Sequence, residues 1–354
     1  MLTLGVISNP CSKRNKRRNA LKELYEGAMN YRVIFVEADK VSNPDFRTYV
    51  EPLRKGFDLG VDVWAINSGD GGQALVEQAI FHLEKEGIVS NATETPISNL
   101  LGGTANIRAT AAYLEGRSLI DRVVPGSPST SLDALRKLLN RYGDFGTEQL
   151  ETVDRYLMQV KTGDREHVGF GFGIGLIPNF YDYYNKHGAT HMTVFGLISA
   201  GLGALATYYV NPGSRKFIDS LFEKAQADVY VDGVHMGDSF TFLVANSLDL
   251  EVDFGPLHFK VKDSMGTNDR VDFRCNLSED TDIKDIIGQL GNLFGVKKGF
   301  EPKPCSIENL VTRDANEIRV VPKSEMGYLV DGECFRTDES ISVTPIGPLK
   351  YLRV

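Results

Sequence analysis

Short apolar runs alternate with helical stretches through the first 140 or so residues of the chain. The strand-like runs are Leu2–Ser8, Arg32–Glu37, Val61–Ile66 and Ile97–Leu101, and the helical patterns are Ala20–Met29, Asp45–Phe57, Gln73–Lys85 and Ala105–Leu114. This alternation is typical of βαβ units, in which helices cover both faces of a mainly parallel sheet. We therefore predict a three-layer α/β unit whose ligands bind at the carboxyl ends of the strands.

The pattern changes after a Pro/Ser-rich segment, Val124–Thr130. The strand candidates beyond it are Arg155–Val160, His167–Phe172, Ala227–Val231, Phe240–Ala245, His258–Val261, Arg270–Arg274, Glu317–Val321 and Ser340–Pro345, and the helix candidates are Thr190–Tyr209 and Asp282–Phe294. Many short strands separated by turn signals favour an antiparallel sheet or a β-sandwich.

The length of 354 residues is sufficient for two domains. We predict an α/β domain over residues 1–140 and a β-rich antiparallel sandwich over residues 141–354. The last ~15 residues are expected to return to the first domain, and a ligand site is expected in the cleft between the two.

Composition excludes several classes of protein. The chain has 47 acidic and 39 basic residues and a net charge of −8, which disfavours nucleic-acid binding because that binding depends on Lys and Arg at the phosphates. The four cysteines are isolated and form no CxxC motif, so neither a zinc site nor a redox pair is indicated. The N-terminal residues lack the pattern of a secretory signal, which favours a cytoplasmic protein.

Two segments have unusual charge. Thr193–Val210 contains no charged residue, and its glycines and small polar residues indicate a buried or pocket-lining helix in contact with an acyl chain rather than a membrane span. Lys13–Arg18 carries five cations in six residues just after the first strand. This basic run could attract a polyphosphate or an anionic membrane surface, so we expect a peripheral membrane contact.

Three loops follow predicted strands and contain residue types that bind phosphate. They are Ser8–Ser12, Asn67–Gly72 and Leu101–Asn106. Glycines allow backbone N–H groups to approach an anion closely, and a helix that follows such a loop presents its positive end. None of the loops matches the GxxxxGK[ST] or GxGxxG patterns, which disfavours a P-loop ATPase and a standard dinucleotide-binding fold.

These loops, in this order, resemble those of the lipid kinase family that contains diacylglycerol, sphingosine and ceramide kinases. The family motifs NPxSG, GGDGT and PLGTxND appear here as NPCSK from Asn9, SGDGG from Ser68 and LGGTANI from Leu101. The resemblance continues with the segments Tyr230–Gly233 and Val244–Asn246, and with Asp331–Glu333 followed by a strand. It covers most of the chain.

The resemblance implies transfer of the ATP γ-phosphoryl group to a lipid hydroxyl, with magnesium. Asp70 would take the proton of the attacking hydroxyl or organise the metal, and Glu333 would reach back to the nucleotide or the metal. The residues that the resemblance places around the nucleotide are Asn9, Ser68, Gly69, Gly71, Gly103, Thr104 and Asn106. It implies a lipid-binding β domain, and it assigns neither the metal ligands, the lipid nor the oligomeric state.

Three positions depart from the family motifs. Gly72 stands for Thr in GGDGT, Ile107 for Asp in GTxND and Lys13 for Gly in NPxSG. Ile107 removes a carboxylate that could support magnesium or a phosphate-side hydrogen-bond network. A lipid kinase is the first hypothesis, and two alternatives are an enzyme similar to NAD kinase and a non-catalytic lipid- or nucleotide-binding protein on a kinase scaffold.

Overall fold

The structure is a computed structural model that describes most of the chain. The described residues are 2–8, 32–37, 45–101, 135–136, 138–140, 150–176, 178–179, 210–247, 250–254, 257–261, 270–277, 310–331 and 333–352. Four helix candidates lie outside these residues: Ala20–Met29, Ala105–Leu114, Thr190–Tyr209 and Asp282–Phe294. The basic run Lys13–Arg18 and all of the uncharged segment except Val210 also lie outside them.

A parallel sheet forms the N-terminal part of the described fold. Its elements are β1 (Thr3–Ser8), β2 (Arg32–Glu37), α1 (Arg47–Asp58), β3 (Val63–Ser68), α2 (Asp70–Lys85), a short 3-10 helix (Ala92–Glu94) and β4 (Ile97–Leu101). The strands are parallel in the order β2-β1-β3-β4. Every residue of β1 and β3 is buried, which is typical of parallel strands that are covered on both faces.

The C-terminal part consists mainly of antiparallel strands. Its elements are β5 (Thr152–Thr162), β6 (Arg165–Gly169), β7 (Gly171–Gly175), α3 (Pro212–Leu221), β8 (Ala225–Val231), β9 (Val234–Asn246), β10 (Leu250–Phe254), β11 (Leu257–Val261), β12 (Val271–Leu277), β13 (Leu310–Ala315), β14 (Ile318–Pro322), β15 (Met326–Val330), β16 (Glu333–Thr337) and β17 (Ile341–Leu352). Strands β10 and β11 pair only with each other among the described strands, whereas the other fifteen form one mixed sheet.

Strand β17 connects the two parts of the mixed sheet. Its first residues pair antiparallel with β14, and nearly its whole length pairs antiparallel with β5. Near its end, Tyr351 pairs with Ile97 of β4 in parallel register. The Tyr351 hydroxyl donates a buried hydrogen bond of 2.8 Å to Glu77 Oε1 on α2. The C-terminal strand is thus fixed to both the parallel strands and the helix that covers them.

Separate apolar clusters cover the two faces of the parallel strands. On one face, Trp64 of β3 packs with α1 and α2. On the other face, Leu4 and Val6 pack with Leu135 and its neighbours. A third cluster lies within the antiparallel part and contains Tyr328 of β15.

The described strands confirm most of the predicted runs and correct several details. The predicted strand His167–Phe172 is interrupted at Phe170, which lies between β6 and β7. Helix α3, strands β10 and β13 and the β15–β16 hairpin were absent from the predicted elements. Helix α2 begins at Asp70 rather than Gln73. Within the residues that the structure describes, no helix is long and apolar enough to cross a membrane.

Candidate functional site

The loop between β3 and α2 is a single residue, Gly69. Its backbone is extended, with φ of −78° and ψ of 172°, and Asp70 is already the first residue of the helix. The first free N–H groups of this 16-residue helix therefore lie directly at the carboxyl end of β3. Such an end carries partial positive charge and is suited to bind an anion such as phosphate.

Buried polar side chains tie the carboxyl ends of the parallel strands together. Gln73 Nε2, in the first turn of α2, donates to the carbonyl oxygens of Ser68 and Leu100, each at 3.3 Å. Asn67 Nδ2 of β3 donates to Ser8 Oγ of β1 at 3.1 Å. These hydrogen bonds fix β1, β3 and β4 relative to one another at their carboxyl ends. This edge of the sheet is where the three predicted phosphate loops begin.

Two buried polar side chains at this edge have unused hydrogen-bonding capacity. Ser68 Oγ and both polar atoms of the Asn99 side chain have no hydrogen-bond partner among the described residues, although both residues are 1% exposed. Most buried polar atoms in proteins are hydrogen-bonded to protein or to ordered water. Within the described residues, the side chains of Ser68 and Asn99 are therefore available to hydrogen-bond a polar group that enters here.

Glu333 reaches this edge from the distant C-terminal part of the chain. It is the first residue of β16, and its carboxylate lies against Gly71 in the first turn of α2. A β-carbon built on Gly71 would overlap Glu333 Oε1 and would lie 2.9 Å from Glu333 Cδ. The absence of a side chain at position 71 is what permits this approach, so the SGDG and DGE motifs meet here.

A small pocket borders the Gly71–Glu333 contact. It is lined by side chains or backbone of α2, β6 and the β15–β16 hairpin, including Gly71, Ala74, Gln78, His167, Glu333 and Phe335. The His167 ring stacks on Phe335 with ring centroids 4.0 Å apart. His167 Nε2 lies 3.2 Å from the Tyr328 hydroxyl.

Burial determines the protonation of the His167–Tyr328 pair. It lowers the pKa of His167 to about 4, with a smaller contribution from the nearby positive charge of Arg165. It also raises the pKa of Tyr328 to about 12. His167 is therefore neutral and Tyr328 is protonated near pH 7, so His167 adds no charge to the wall of the pocket beside Glu333.

The structure brings part of the predicted residue set together. Ser68, Gly69, Gly71 and Glu333 lie at one edge, around the first turn of α2. Asp70 opens the same helix, although its side chain is outside the described part of the structure. The remaining predicted positions also lie outside the described residues: Asn9, Gly103, Thr104 and Asn106.

Sequence reasoning missed the supporting side chains. Gln73 could have been identified, because it is a polar residue at the start of a helical stretch rich in apolar residues. His167 and Phe335 carry no local motif, and they meet only when the fold brings β6 and the β15–β16 hairpin together. Within the described residues, no group of three or more His, Cys, Asp or Glu side chains could hold a metal ion.

Comparisons with known proteins point to one fold. No family model and no curated protein matches the chain. Solved structures do match over 99% of this chain and 97% of the matched chain. Two are candidate diacylglycerol kinases of Bacillus anthracis strain Sterne, at 13% and 12% identity with TM-scores of 0.59 and 0.57. A third, a diacylglycerol kinase of the same strain, has 13% identity and a TM-score of 0.54. At this identity the likeness concerns the fold, and the chain has the fold of these diacylglycerol kinase-like structures.

Proposed function

We propose that the chain is an ATP-dependent lipid kinase that phosphorylates a hydroxyl group of a diacylglycerol- or sphingosine-like lipid. The observation that carries this proposal is the contact between Glu333 and Gly71, which joins the two motifs that the family resemblance assigns to catalysis. The fold shared with diacylglycerol kinase-like structures supports the same conclusion.

Phosphoryl transfer depends mainly on positioning and on neutralising charge. In the proposed site the N-terminus of α2 and Ser68 would face the phosphates, with Asn9, Gly69 and Gly71 close by. The loop residues Gly103, Thr104 and Asn106 would complete the nucleotide site. Asp70 would accept the proton of the attacking lipid hydroxyl, a role for which a carboxylate within hydrogen-bond reach is suited.

The residues at the edge fit ATP and magnesium. Ser68 and Asn99 have polar atoms without a partner among the described residues, and these atoms and the positive end of α2 suit a polyphosphate. Magnesium is commonly held by one or two carboxylates together with phosphate oxygens. Glu333 would supply such a carboxylate. When bound, the ion would neutralise charge that develops on the transferred group.

We further propose a two-domain organisation for this function. Residues 1–140 would form the nucleotide-binding domain and residues 141–354 the lipid-binding domain, with the site in the cleft between them. Thr193–Val210 would contact the acyl chain, and Lys13–Arg18 would attract an anionic membrane surface to a peripheral, cytoplasmic enzyme.

A lipid panel tests the proposal directly. Purified protein is incubated with ATP, magnesium and separate vesicles that contain diacylglycerol, sphingosine or ceramide, and the products are identified by mass spectrometry. We expect one phosphorylated lipid. We expect Asp70→Asn to abolish its formation and Glu333→Gln to reduce it strongly while leaving measurable turnover. Glu325→Gln is a matched control, because Glu325 is an exposed carboxylate next to β15 that pairs with Arg336.

Two other outcomes would identify the alternatives. Phosphorylation of NAD, but of no lipid, would replace the proposal with an activity similar to that of NAD kinase. Binding of ATP or lipid without turnover on any acceptor would indicate a non-catalytic binding protein. This alternative is based on Gly72 and Ile107, which depart from the family motifs. Unchanged product formation by Asp70→Asn would show that Asp70 is not the proton acceptor.

A further inference from the structure

Two hairpins of the antiparallel part have the sequence Asp-Gly between their strands. Val231 pairs with Val234 on either side of Asp232 and Gly233, and Val330 pairs with Glu333 on either side of the second Asp-Gly pair. Asp232 has φ of 50° and Asp331 has φ of 47°, both in the left-handed region. Asp-Gly is a favoured pair for two-residue hairpins, which require such angles.

Both aspartates also use the carboxylate in the same way. Asp232 Oδ1 accepts from the backbone N–H groups of Asn316 and Glu317, at 2.9 and 3.0 Å. The Asp232 N–H in turn donates to the Glu317 carbonyl at 2.9 Å. None of these residues lines the pocket beside Glu333. In this hairpin the aspartate therefore serves to attach a turn to a neighbouring chain segment.

Asp331 attaches its hairpin to the junction between β6 and β7. Asp331 Oδ1 accepts from Gly171 N at 2.7 Å and from Phe170 N at 3.0 Å, and Oδ2 shares the Phe170 N–H at 3.0 Å. The Asp331 N–H donates to the Gly171 carbonyl at 3.0 Å. The packing is close, because a β-carbon built on Gly169 would lie 2.8 Å from Asp331 Oδ2.

This attachment lies two residues from Glu333 in the same hairpin. Glu333 is two residues beyond Asp331, at the start of β16, and its carboxylate contacts Gly71 on α2. The main chain of Glu333 takes its position from the hairpin that carries it, through its pairing with Val330. A rotation of the hairpin about the β6–β7 junction would move the carboxylate away from the helix N-terminus.

We propose that Asp331 is a positioning residue that acts through Glu333, and that it is not the group that accepts the substrate proton. This inference rests on the proposed kinase function. Asp331 borders the pocket, but its carboxylate accepts from the backbone N–H groups of Phe170 and Gly171. Asp232 makes the same type of contact at a turn outside the pocket. The hydrogen bonds of Asp331 thus attach its turn to the β6–β7 junction, which is a structural role and not one of proton exchange.

A positioning residue and a proton acceptor differ in how well they tolerate replacement of Asp331 by asparagine. An asparagine side chain at this position would keep an Oδ1 atom for the N–H groups of Phe170 and Gly171, and asparagine tolerates the left-handed backbone. We expect Asp331→Asn to retain kcat/KM within ~3-fold, and Asp331→Ala to lower it by ~10–100-fold, mostly through a higher KM for magnesium–ATP. A proton acceptor would instead lose kcat equally in both variants.

The test compares four variants with the wild-type enzyme: Asp331→Asn, Asp331→Ala, Asp232→Asn and Asp232→Ala. Turnover of the accepted lipid is measured as a function of ATP concentration and of pH. The inference predicts activity in Asp331→Asn with the wild-type pH profile, loss in Asp331→Ala, and wild-type activity in both folded Asp232 variants. Equal loss of kcat in the two Asp331 variants would overturn the inference.

Amide hydrogen exchange distinguishes failure of the inference from failure of the proposed function. We expect Asp331→Ala, but not Asp331→Asn, to increase exchange in the hairpin 330–335 and in the first turn of α2. This measurement needs no substrate, so it decides the positioning role even if the wild type phosphorylates no lipid. Unchanged exchange at the first turn of α2 in Asp331→Ala would overturn the inference.

Discussion

Replacing Gly71 by alanine should lower activity without weakening the fold. Gly71 is the second residue of α2, where alanine fits the helical backbone. The added methyl group would overlap Glu333 Oε1 and would lie 2.9 Å from Glu333 Cδ. The Glu333 side chain is exposed, so its carboxylate can swing aside without disturbing the core.

The expected magnitudes follow from these contacts. Alanine is favoured over glycine within a helix by up to ~1 kcal/mol, and this gain is partly offset by displacement of the carboxylate. The free energy of unfolding should therefore stay within ~1 kcal/mol of the wild-type value. A displacement of about 1 Å in a positioned group can cost ~100-fold in rate, so we expect kcat/KM to fall by ~10–100-fold.

Gly56→Ala provides the opposite control. A β-carbon on Gly56 of α1 would overlap Trp64 Cη2 and would lie 2.7 Å from Trp64 Cζ2. Trp64 is fully buried in the cluster between α1, α2 and the parallel strands, so it cannot retreat into solvent. Overpacking of this kind typically costs ~1–3 kcal/mol, and we expect the loss to appear as reduced stability.

Urea unfolding and steady-state phosphorylation of the accepted lipid measure the two effects. The Glu333→Ala background supplies a further control, because Gly71→Ala should cause no additional loss of activity where the carboxylate is already absent. Wild-type kcat/KM in Gly71→Ala would refute the reasoning. So would an equal loss in both backgrounds, since the effect would then not depend on Glu333.

Three further predictions concern stability. Tyr351→Phe removes the buried hydrogen bond to Glu77 and should lower the free energy of unfolding by ~1–3 kcal/mol, measured by urea titration. An unchanged free energy of unfolding would show that this hydrogen bond does not stabilise the attachment of β17 to α2. Because the pKa of His167 is about 4 in the native state against 6.5 when exposed, the unfolded state binds more protons between these values. Stability should fall as the pH drops from about 6.5 to about 4, and unfolding at a series of pH values should show a smaller decline in His167→Gln. Asn211→Ala removes the acceptor for the N–H groups of Gly213 and Ser214 at the start of α3, and should cost ~1 kcal/mol by thermal unfolding, in contrast to exposed Ser220→Ala.

The parallel strands were predictable because their sequence and their environment agree. Thr3–Ser8 and Val63–Ser68 are buried on both faces and read as short, nearly continuous apolar runs. Helix α2 was placed three residues late because glycines 71 and 72 weaken the local helical signal. The fold nevertheless starts the helix at Asp70, where Gln73 binds the ends of two strands.

The antiparallel hairpin at the site was less accessible to sequence reasoning. Met326–Val330 and Glu333–Thr337 are short, and the second has no fully buried residue, so neither shows clear alternation. The Asp-Gly pair at Asp331 was visible as a motif, but its neighbours Phe170 and Gly171 could not be identified from spacing. Such contacts depend on sheet order, which local patterns do not encode.

The candidate site depends on contacts between distant parts of the chain. Gln73 fixes the first turn of α2 to β3 and β4, and Tyr351 fixes β17 to the next turn of the same helix through Glu77. Asp331 fixes the hairpin that carries Glu333 to the β6–β7 junction. The first two contacts attach strands to α2, and the third attaches the hairpin whose Glu333 lies against Gly71. The order of the motifs along the sequence was sufficient to indicate a family resemblance. The contact between Gly71 and Glu333 could not be predicted in the same way, because these residues meet only when all these segments are folded into place.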